Sequence, residues 1–182
     1  MLGIKLEPGT AKKLAIEAAG SPQLMQSICL NIARDLGARE GKFDTPVELD
    51  ITNNLMGKVC VKIASSGIDY SSTIEEMKKG PLTRGRDRKI YKKVDGSELD
   101  IYHLIVEGLA IDPPTLKFTD KDLLNRVESL VNVKVSNYWD SVRHISQIAN
   151  KQGSEMKIDF GEELRWVTIL DPYLLFALRW SK

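Results

Sequence analysis

Apolar residues in the C-terminal half of the chain recur every three or four positions in four segments, which predicts four helices. Ser97 is expected to cap the first helix. Pro113 must end that helix, because proline lacks an amide proton and clashes with the preceding turn. Thr119 and Ser136 are expected to cap the second and third helices. Pro172 should open the last one, since proline suits the first helical turn.

Between these helices, alternating apolar and polar residues predict strands. Leu116–Phe118 is a short strand, and Met156–Phe160 and Leu164–Leu170 alternate on either side of Gly161-Glu162-Glu163, a pattern typical of a hairpin. The resulting order is helix, strand, helix, helix, hairpin, helix. This order indicates a winged-helix domain over residues 97–182, with the hairpin as its wing.

A small helical bundle is predicted for residues 1–79. Small and apolar residues from Ala11 to Ala18 form its first helix, and Ser21 is expected to cap a second, broadly apolar helix. Two more helices are expected from about Ile51 and from Ser72. The chain is therefore expected to be mainly α (α+β), with a helical bundle followed by a winged helix.

Residues 80–96 are predicted to be a basic linker between the two domains. Up to Lys93 this segment carries Arg84, Arg86 and Arg88 among several lysines, with Asp87 as the single acid. A solvated linker, or one whose charges are used within the molecule, is the simpler interpretation. The alternative is an anion or interdomain contact, because arginine meets phosphate with forked, charge-assisted hydrogen bonds.

The composition is that of an ordinary globular domain, with 42% apolar and 28% charged residues in 182. The 26 basic and 25 acidic residues nearly cancel, so no global field draws the chain to nucleic acid or anionic lipid. The apolar runs are shorter than the roughly 20 residues that a membrane helix needs. Met1–Leu6 lacks the pattern of a signal peptide, so a cytoplasmic protein without membrane contact is expected.

The sequence offers few groups for catalysis or metal binding. Cys29 and Cys60 lack a CxxC spacing and are expected to be buried thiols rather than a disulfide or a metal pair. His103 and His144 are the only histidines, and neither has a partner at metal-ligand spacing. No GxxxxGK[ST] loop that could hold ATP phosphates is present. We therefore expect a protein that is not an enzyme and has no catalytic or metal-binding residues.

Two short segments carry a resemblance to a known family. The run Ala18–Cys29, with the sequence AAGSPQLMQSIC, resembles the Gly-x-Pro element in the helical lid of AAA+ ATPases, particularly their signal-transducing (STAND) branch. The run Ile169–Trp180, with the sequence ILDPYLLFALRW, is similar to the end of the winged-helix domain in ATPases of this type. In that branch a winged helix follows the lid, which is the order predicted here.

The resemblance implies a nucleotide-facing edge at Ser21, Pro22 and Gln23. In the family the proline lies against the base and sugar of the nucleotide, and the helix that it opens presents free amides toward it. Gln23 stands where AAA+ lids usually carry an arginine that touches the terminal phosphate, although the signal-transducing branch commonly lacks that arginine. The simpler alternative is that this segment only ends one helix and starts the next.

The resemblance also implies that the chain is the C-terminal part of a longer ATPase, with Met1 as an internal or artificial start. The fragment alone is expected to bind no cofactor, whereas the intact parent would bind ATP or ADP. The expected partner is the upstream nucleotide-binding domain or another protein. The function expected is that of a non-catalytic regulatory fragment that couples nucleotide state to protein contact.

A DNA-binding winged-helix regulator is the alternative function. The helix predicted after Ser136 would enter the major groove, where amide and guanidinium side chains read base edges. Its candidate DNA contacts are Asn137, Tyr138, Arg143 and Gln147.

The charges near this helix argue against DNA. Asp140 and the predicted wing residues Glu162 and Glu163 would face phosphates, so duplex binding should be weak. Protein contact is therefore favoured over DNA contact. Arg165 and Arg179 could contribute to either.

Overall fold

The computed structural model of the protein describes residues 4–37, 47–48, 51–67, 69–83, 85, 87–151 and 153–181. The described residues are mainly helical with small sheets, which confirms the predicted fold class. The helices are Pro8–Glu17 (α1), Pro22–Asp35 (α2), Asn53–Ser66 (α3), Ser71–Lys79 (α4), Ile101–Ala110 (α5), Asp120–Ser129 (α6), Trp139–Ala149 (α7) and Pro172–Trp180 (α8). The strands are Ile4–Lys5 (β1), Val47–Glu48 (β2), Ile90–Lys92 (β3), Glu98–Asp100 (β4), Lys117–Thr119 (β5), Ile158–Gly161 (β6) and Trp166–Ile169 (β7).

The chain divides into two compact units, one of residues 1–69 with 180–182 and the other of residues 70–179. The sequence places the end of the first domain at residue 79 instead. The difference is α4, which packs against α5 and α7 through its buried Ile74 and Met77. The segment predicted as a linker also differs, because it contains β3, which pairs in an antiparallel hairpin with β4 just after it.

In the first unit, α2 packs against α1 and α3. Ser21 caps α2 as predicted, since its hydroxyl accepts a hydrogen bond from the amide of Leu24 at 3.2 Å. Thr52 caps α3 in the same way. The short strands β1 and β2 pair in parallel. The core of this unit is aliphatic, with fully or nearly fully buried Leu14, Leu24, Ile28, Ile32, Val59 and Cys60.

In the second unit, α5, β5, α6, α7, β6, β7 and α8 follow one another in the predicted order. Strand β7 lies between β5 and β6 and is antiparallel to both, with Val167 opposite Phe118 and Phe160. Helix α5 packs against α6 and α7, while α6 packs against β5 and α7 packs against β6. The buried residues of this unit include Leu104, Ile105, Leu109, Phe118, Leu123, Ile145 and Ile158.

Two predicted helix starts in this unit are wrong. Helix α5 is capped by Asp100, not Ser97, because residues 98–100 form strand β4 and Ser97 lies in the turn that joins β3 to β4. Helix α7 begins at Trp139, not after Ser136, because Asn137 has a left-handed backbone (φ 56°) that interrupts the helix.

Other predicted boundaries are confirmed. Thr119 caps α6 in a full capping box, in which its hydroxyl accepts from the amide of Asp122 and the Asp122 carboxylate accepts from the amide of Thr119. Pro172 opens α8. None of the helices within the described ranges is both long and apolar enough to cross a membrane.

Candidate functional site

The second unit has a cleft of about 420 Å³ where the N-terminal ends of α6 and α7 meet the turn between β6 and β7. We call it the α7–wing cleft and residues 162–165 the wing turn, after the role that the sequence predicts for the β6–β7 hairpin. Three carboxylates and one guanidinium line it, so its charge is net negative. The lining residues are Asp120, Leu124, Val135, Asn137, Tyr138, Trp139, Asp140, Glu162 and Arg165.

Asp120 anchors one wall of this cleft. The buried Tyr138 hydroxyl donates to the backbone carbonyl of Asp120 at 2.6 Å and also to its carboxylate. Nε of Arg165 donates to the same carboxylate at 2.6 Å. Burial alone would raise the pKa of Asp120, but the hydrogen bonds from Arg165 and Tyr138 hold it below its ordinary value. Asp120 is therefore a charged acceptor at neutral pH.

The protonation of Tyr138 is fixed by the same contacts. Burial and the adjacent Asp120 carboxylate both raise the pKa of Tyr138. The phenol therefore stays a hydrogen-bond donor at neutral pH. Together Asp120 and Tyr138 connect the start of α6 to the start of α7.

An aromatic wall lies beside this anchor. The Arg165 guanidinium is 5.0 Å from the centre of the Trp139 ring, and Trp139 in turn packs against Phe160 with ring centres 5.1 Å apart. Trp139 is only 8% exposed, and its indole N–H has no acceptor among the described residues. The wall thus holds a guanidinium between a carboxylate and an indole face.

The mouth of the cleft carries carboxylates in solvent. The side chains of Asp140 and Glu162 are 73% and 69% exposed. Arg143 lies between them, with Nη2 at 2.9 Å from Asp140 and Nη1 at 3.7 Å from Glu162. Leu164, at the tip of the wing turn, is 81% exposed. The charge of Arg143 is therefore neutralised by carboxylates on both sides. The tip of the hairpin carries the apolar Leu164, at a position where DNA-binding wings typically carry a basic residue.

The candidate DNA contacts do not all face solvent. Asn137 and Gln147 are exposed, and Arg143 is half-buried in its ion pairs. Tyr138 is only 3% exposed, so its prediction as an outward-facing residue is wrong, because the turn at Asn137 rotates it onto Asp120. Arg179, also considered for partner contact, is buried and donates to the carbonyl of Ala110 at 2.9 Å and to Asp112 at 2.6 Å.

The predicted nucleotide-facing edge lies in the first unit. Pro22 and Gln23 are exposed at the first turn of α2, and Ser21 in front of them is half-buried. Ala19 and Gly20 both have positive φ, at 46° and 78°, which turns the chain sharply between α1 and α2. In the first turn of α2, Pro22 has no amide proton, the amide of Leu24 donates to the Ser21 hydroxyl and that of Met25 donates to the Ser21 carbonyl. The amide of Gln23 is therefore the one left in this turn for the nucleotide contact that the resemblance implies.

The structure describes only part of the predicted basic linker. Arg84 and Arg86 lie outside the described residues. Arg88 is used within the second unit: its guanidinium donates to Asp100 at 2.7 Å and to the carbonyls of Lys79 and Pro81, and it lies 4.4 Å from the centre of the Tyr102 ring. With its side chain 19% exposed, Arg88 ties the segment after α4 to the start of α5.

Cys29 and Cys60 are not joined in a disulfide; Cys60 is buried, and Cys29 is half-buried with its pKa raised by burial. In the part of the chain that the structure describes, no group of three or more His, Cys, Asp and Glu side chains is arranged to hold a metal ion.

No protein-family model matches the chain, and no curated protein or solved structure matches it either. Any functional assignment therefore stands on the residues and on the geometry described above.

Proposed function

We propose that the chain is a non-catalytic regulatory module, the helical lid and winged helix of an AAA+ or signal-transducing ATPase, and that it acts by protein contact. The order α5, β5, α6, α7, β6, β7, α8, with a central β7, supports the winged-helix assignment. The β6–β7 hairpin is the wing in this proposal, and α7 is the helix that a DNA-binding relative would place in the major groove.

The observation that carries the proposal is the charge of the face formed by α7 and the wing turn. A duplex binder gains most of its nonspecific affinity by bringing Lys and Arg to the phosphates. Here Asp140 and Glu162 are exposed on that face, and they counter Arg143. A protein partner can pair with exposed carboxylates and can bury Leu164, whereas the DNA backbone can do neither.

The nucleotide part of the proposal concerns α2. Its first turn, with Ser21, Pro22 and Gln23, would contact ATP or ADP held by the nucleotide-binding domain of the parent protein. Movement of this lid with nucleotide state would then alter which surface of the winged helix is available. The reading frame upstream of Met1 checks this part: a GxxxxGK[ST] loop encoded there supports it, and an unrelated sequence contradicts it.

A site-specific photo-crosslinking experiment tests the contact itself. A photoreactive amino acid replaces Leu164, 81% exposed on the wing turn, and a matched control replaces Leu82, 99% exposed after α4. Irradiation in cells is expected to give a defined protein adduct from position 164 and not from position 82. An adduct that nuclease treatment removes would contradict the proposal and favour DNA.

DNA reading remains the second candidate because of one feature. The amide side chains of Asn137 and Gln147 are exposed before and along α7. Such side chains can pair with adenine edges in the major groove. In that case Arg143 would have to break its ion pairs with Asp140 and Glu162 in order to contact DNA.

A further inference from the structure

Resting on the proposed protein contact, we infer that the α7–wing cleft receives an arginine or lysine side chain from a basic segment of the partner protein. The occupant is a peptide segment whose cation lies near Asp140 and Glu162, with its flanking residues against Leu164.

The cleft already accommodates one cation of its own chain. Arg165 places its guanidinium over Trp139 and donates to Asp120 at 2.6 Å. Carboxylate acceptors beside an aromatic face are the pairing that guanidinium groups favour. These three residues line the cleft, whose volume of about 420 Å³ is large enough for another side chain.

The two other carboxylates of the cleft, those of Asp140 and Glu162, can pair with a second cation. Asp140 and Glu162 share a single guanidinium, that of Arg143, which is 3.7 Å from Glu162. Both carboxylates are more than two-thirds exposed, where ion pairs are weak and easily exchanged. A partner's cation can therefore join or replace Arg143 without removing a buried charge pair.

A peptide fits better than a small amine or a metal ion. Trp139 lines the cleft, and its buried indole N–H, which has no acceptor among the described residues, can reach a peptide carbonyl once the side chain shifts on binding. A peptide supplies backbone carbonyl acceptors as well as the cation, and a free cation does not. The exposed Leu164 next to the cleft offers an apolar contact for a neighbouring residue of the same peptide.

Selection from a random peptide library displayed on phage, with the full chain as target, tests the inference. Enriched peptides are expected to contain Arg or Lys. The best one is then made synthetically and its Kd is measured for the wild type, for Asp140→Asn/Glu162→Gln and for the control Glu75→Gln/Glu76→Gln, which removes two exposed charges from α4. The first double variant is expected to raise Kd about tenfold, and the control to leave it unchanged.

A third variant is expected to change the affinity for the peptide in the opposite direction. Arg143→Gln frees Asp140 and Glu162 from their intramolecular partner, so the affinity for the basic peptide should increase. Near-ultraviolet circular dichroism of each variant verifies that the fold is retained.

The outcomes separate the two proposals. Enrichment of acidic or apolar peptides that lose affinity in Leu164→Asp would overturn the basic-segment inference and leave protein contact at the wing standing. The inference would also be overturned if the Kd of a basic peptide were the same for the wild type and for Asp140→Asn/Glu162→Gln, or if no peptide were enriched. Tight binding of duplex DNA by the wild type would overturn the proposed function itself.

Discussion

At the scale of single residues, two aspartates organise the second unit. Oδ1 of Asp100 accepts hydrogen bonds from the backbone amides of Tyr102 and His103, both at 3.0 Å, while Oδ2 pairs with Arg88. Asp120 does the equivalent for Tyr138 and Arg165. In both cases one charged side chain joins segments that are distant in sequence.

The contacts of Asp100 predict that the protein loses folding stability at acid pH. Burial alone would raise its pKa, but the His103 amide and the Arg88 guanidinium hold the pKa below its ordinary value. The folded state therefore binds this proton only below the unfolded pKa of about 3.9. The stability contributed by Asp100 is fully present above the unfolded pKa and is lost as the pH falls through the lowered folded pKa.

Asp100→Asn is expected to lose about 2 kcal/mol at neutral pH, because Arg88 loses its counter-charge, and to flatten the fall in stability on acidification. Thermal unfolding midpoints between about pH 6 and about pH 2 measure this. The control is Asp140→Asn, whose carboxylate is 73% exposed and whose change should have little effect. Parallel pH profiles for Asp100→Asn and the wild type would refute the role given to Asp100.

Gly80 is constrained by both backbone and packing. Its φ is 60°, and a Cβ there would lie 2.6 Å from Cγ of Tyr102, the ring over which Arg88 lies. Gly80→Ala is therefore expected to destabilise the protein by about 2–4 kcal/mol, the sum of backbone strain and a steric clash. Urea unfolding gives this number.

The matched control for Gly80 is Gly96→Ala. Gly96 also has a positive φ, 90°, but nothing lies within 4 Å of the added Cβ. Its cost should be the strain alone, about 1 kcal/mol. Equal losses for the two variants would mean that the Tyr102 contact does not matter.

At the scale of elements, the helix caps show where sequence reasoning succeeds and where it does not. Ser21, Thr119 and Pro172 were predictable because cap chemistry is local and their helices start beside them. The prediction of Ser97 as a cap is wrong because the β3–β4 hairpin removes it from the helix. The signal for that hairpin was present as Asp95-Gly96, a pair typical of tight hairpin turns.

These caps give a paired prediction. Thr119→Ala should cost about 1 kcal/mol, because the amide of Asp122 loses its 3.2 Å acceptor. Ser136→Ala should change stability by less than about 0.5 kcal/mol, since Ser136 is exposed and lies outside α7. Chemical unfolding of both variants checks the pair, and a larger loss at Ser136 would mean that it caps α7 after all.

At the scale of the whole molecule, the near balance of 26 basic and 25 acidic residues hides a local imbalance at the α7–wing cleft. The sequence could predict the acidic hairpin turn and the exposed Asp140 because hairpin and helix patterns are local. It could not predict the cleft, which three separate segments form. The burial of Tyr138 was equally inaccessible, since it depends on a long-range bond to Asp120.

The boundary between the two units also depends on long-range packing that local sequence patterns do not reveal. Helix α4 follows α3 closely in sequence, and its apolar face alone does not say which unit buries it. The structure places it on α5 and α7, so the second unit begins at Tyr70, whereas the sequence predicts a first domain that ends at residue 79 and a second that begins at residue 97. Arg88 and Asp100 reinforce this by closing the segment that follows α4 onto the start of α5.

Binding of the full chain to a labelled DNA duplex, measured by fluorescence anisotropy across a range of salt concentrations, tests the central claim that the face of α7 and the wing contacts protein. If this face contacts protein, we expect weak binding of the duplex, a shallow salt dependence, and little change on Arg143→Ala or Gln147→Ala. Tight binding with a steep salt slope that either substitution weakens would contradict it.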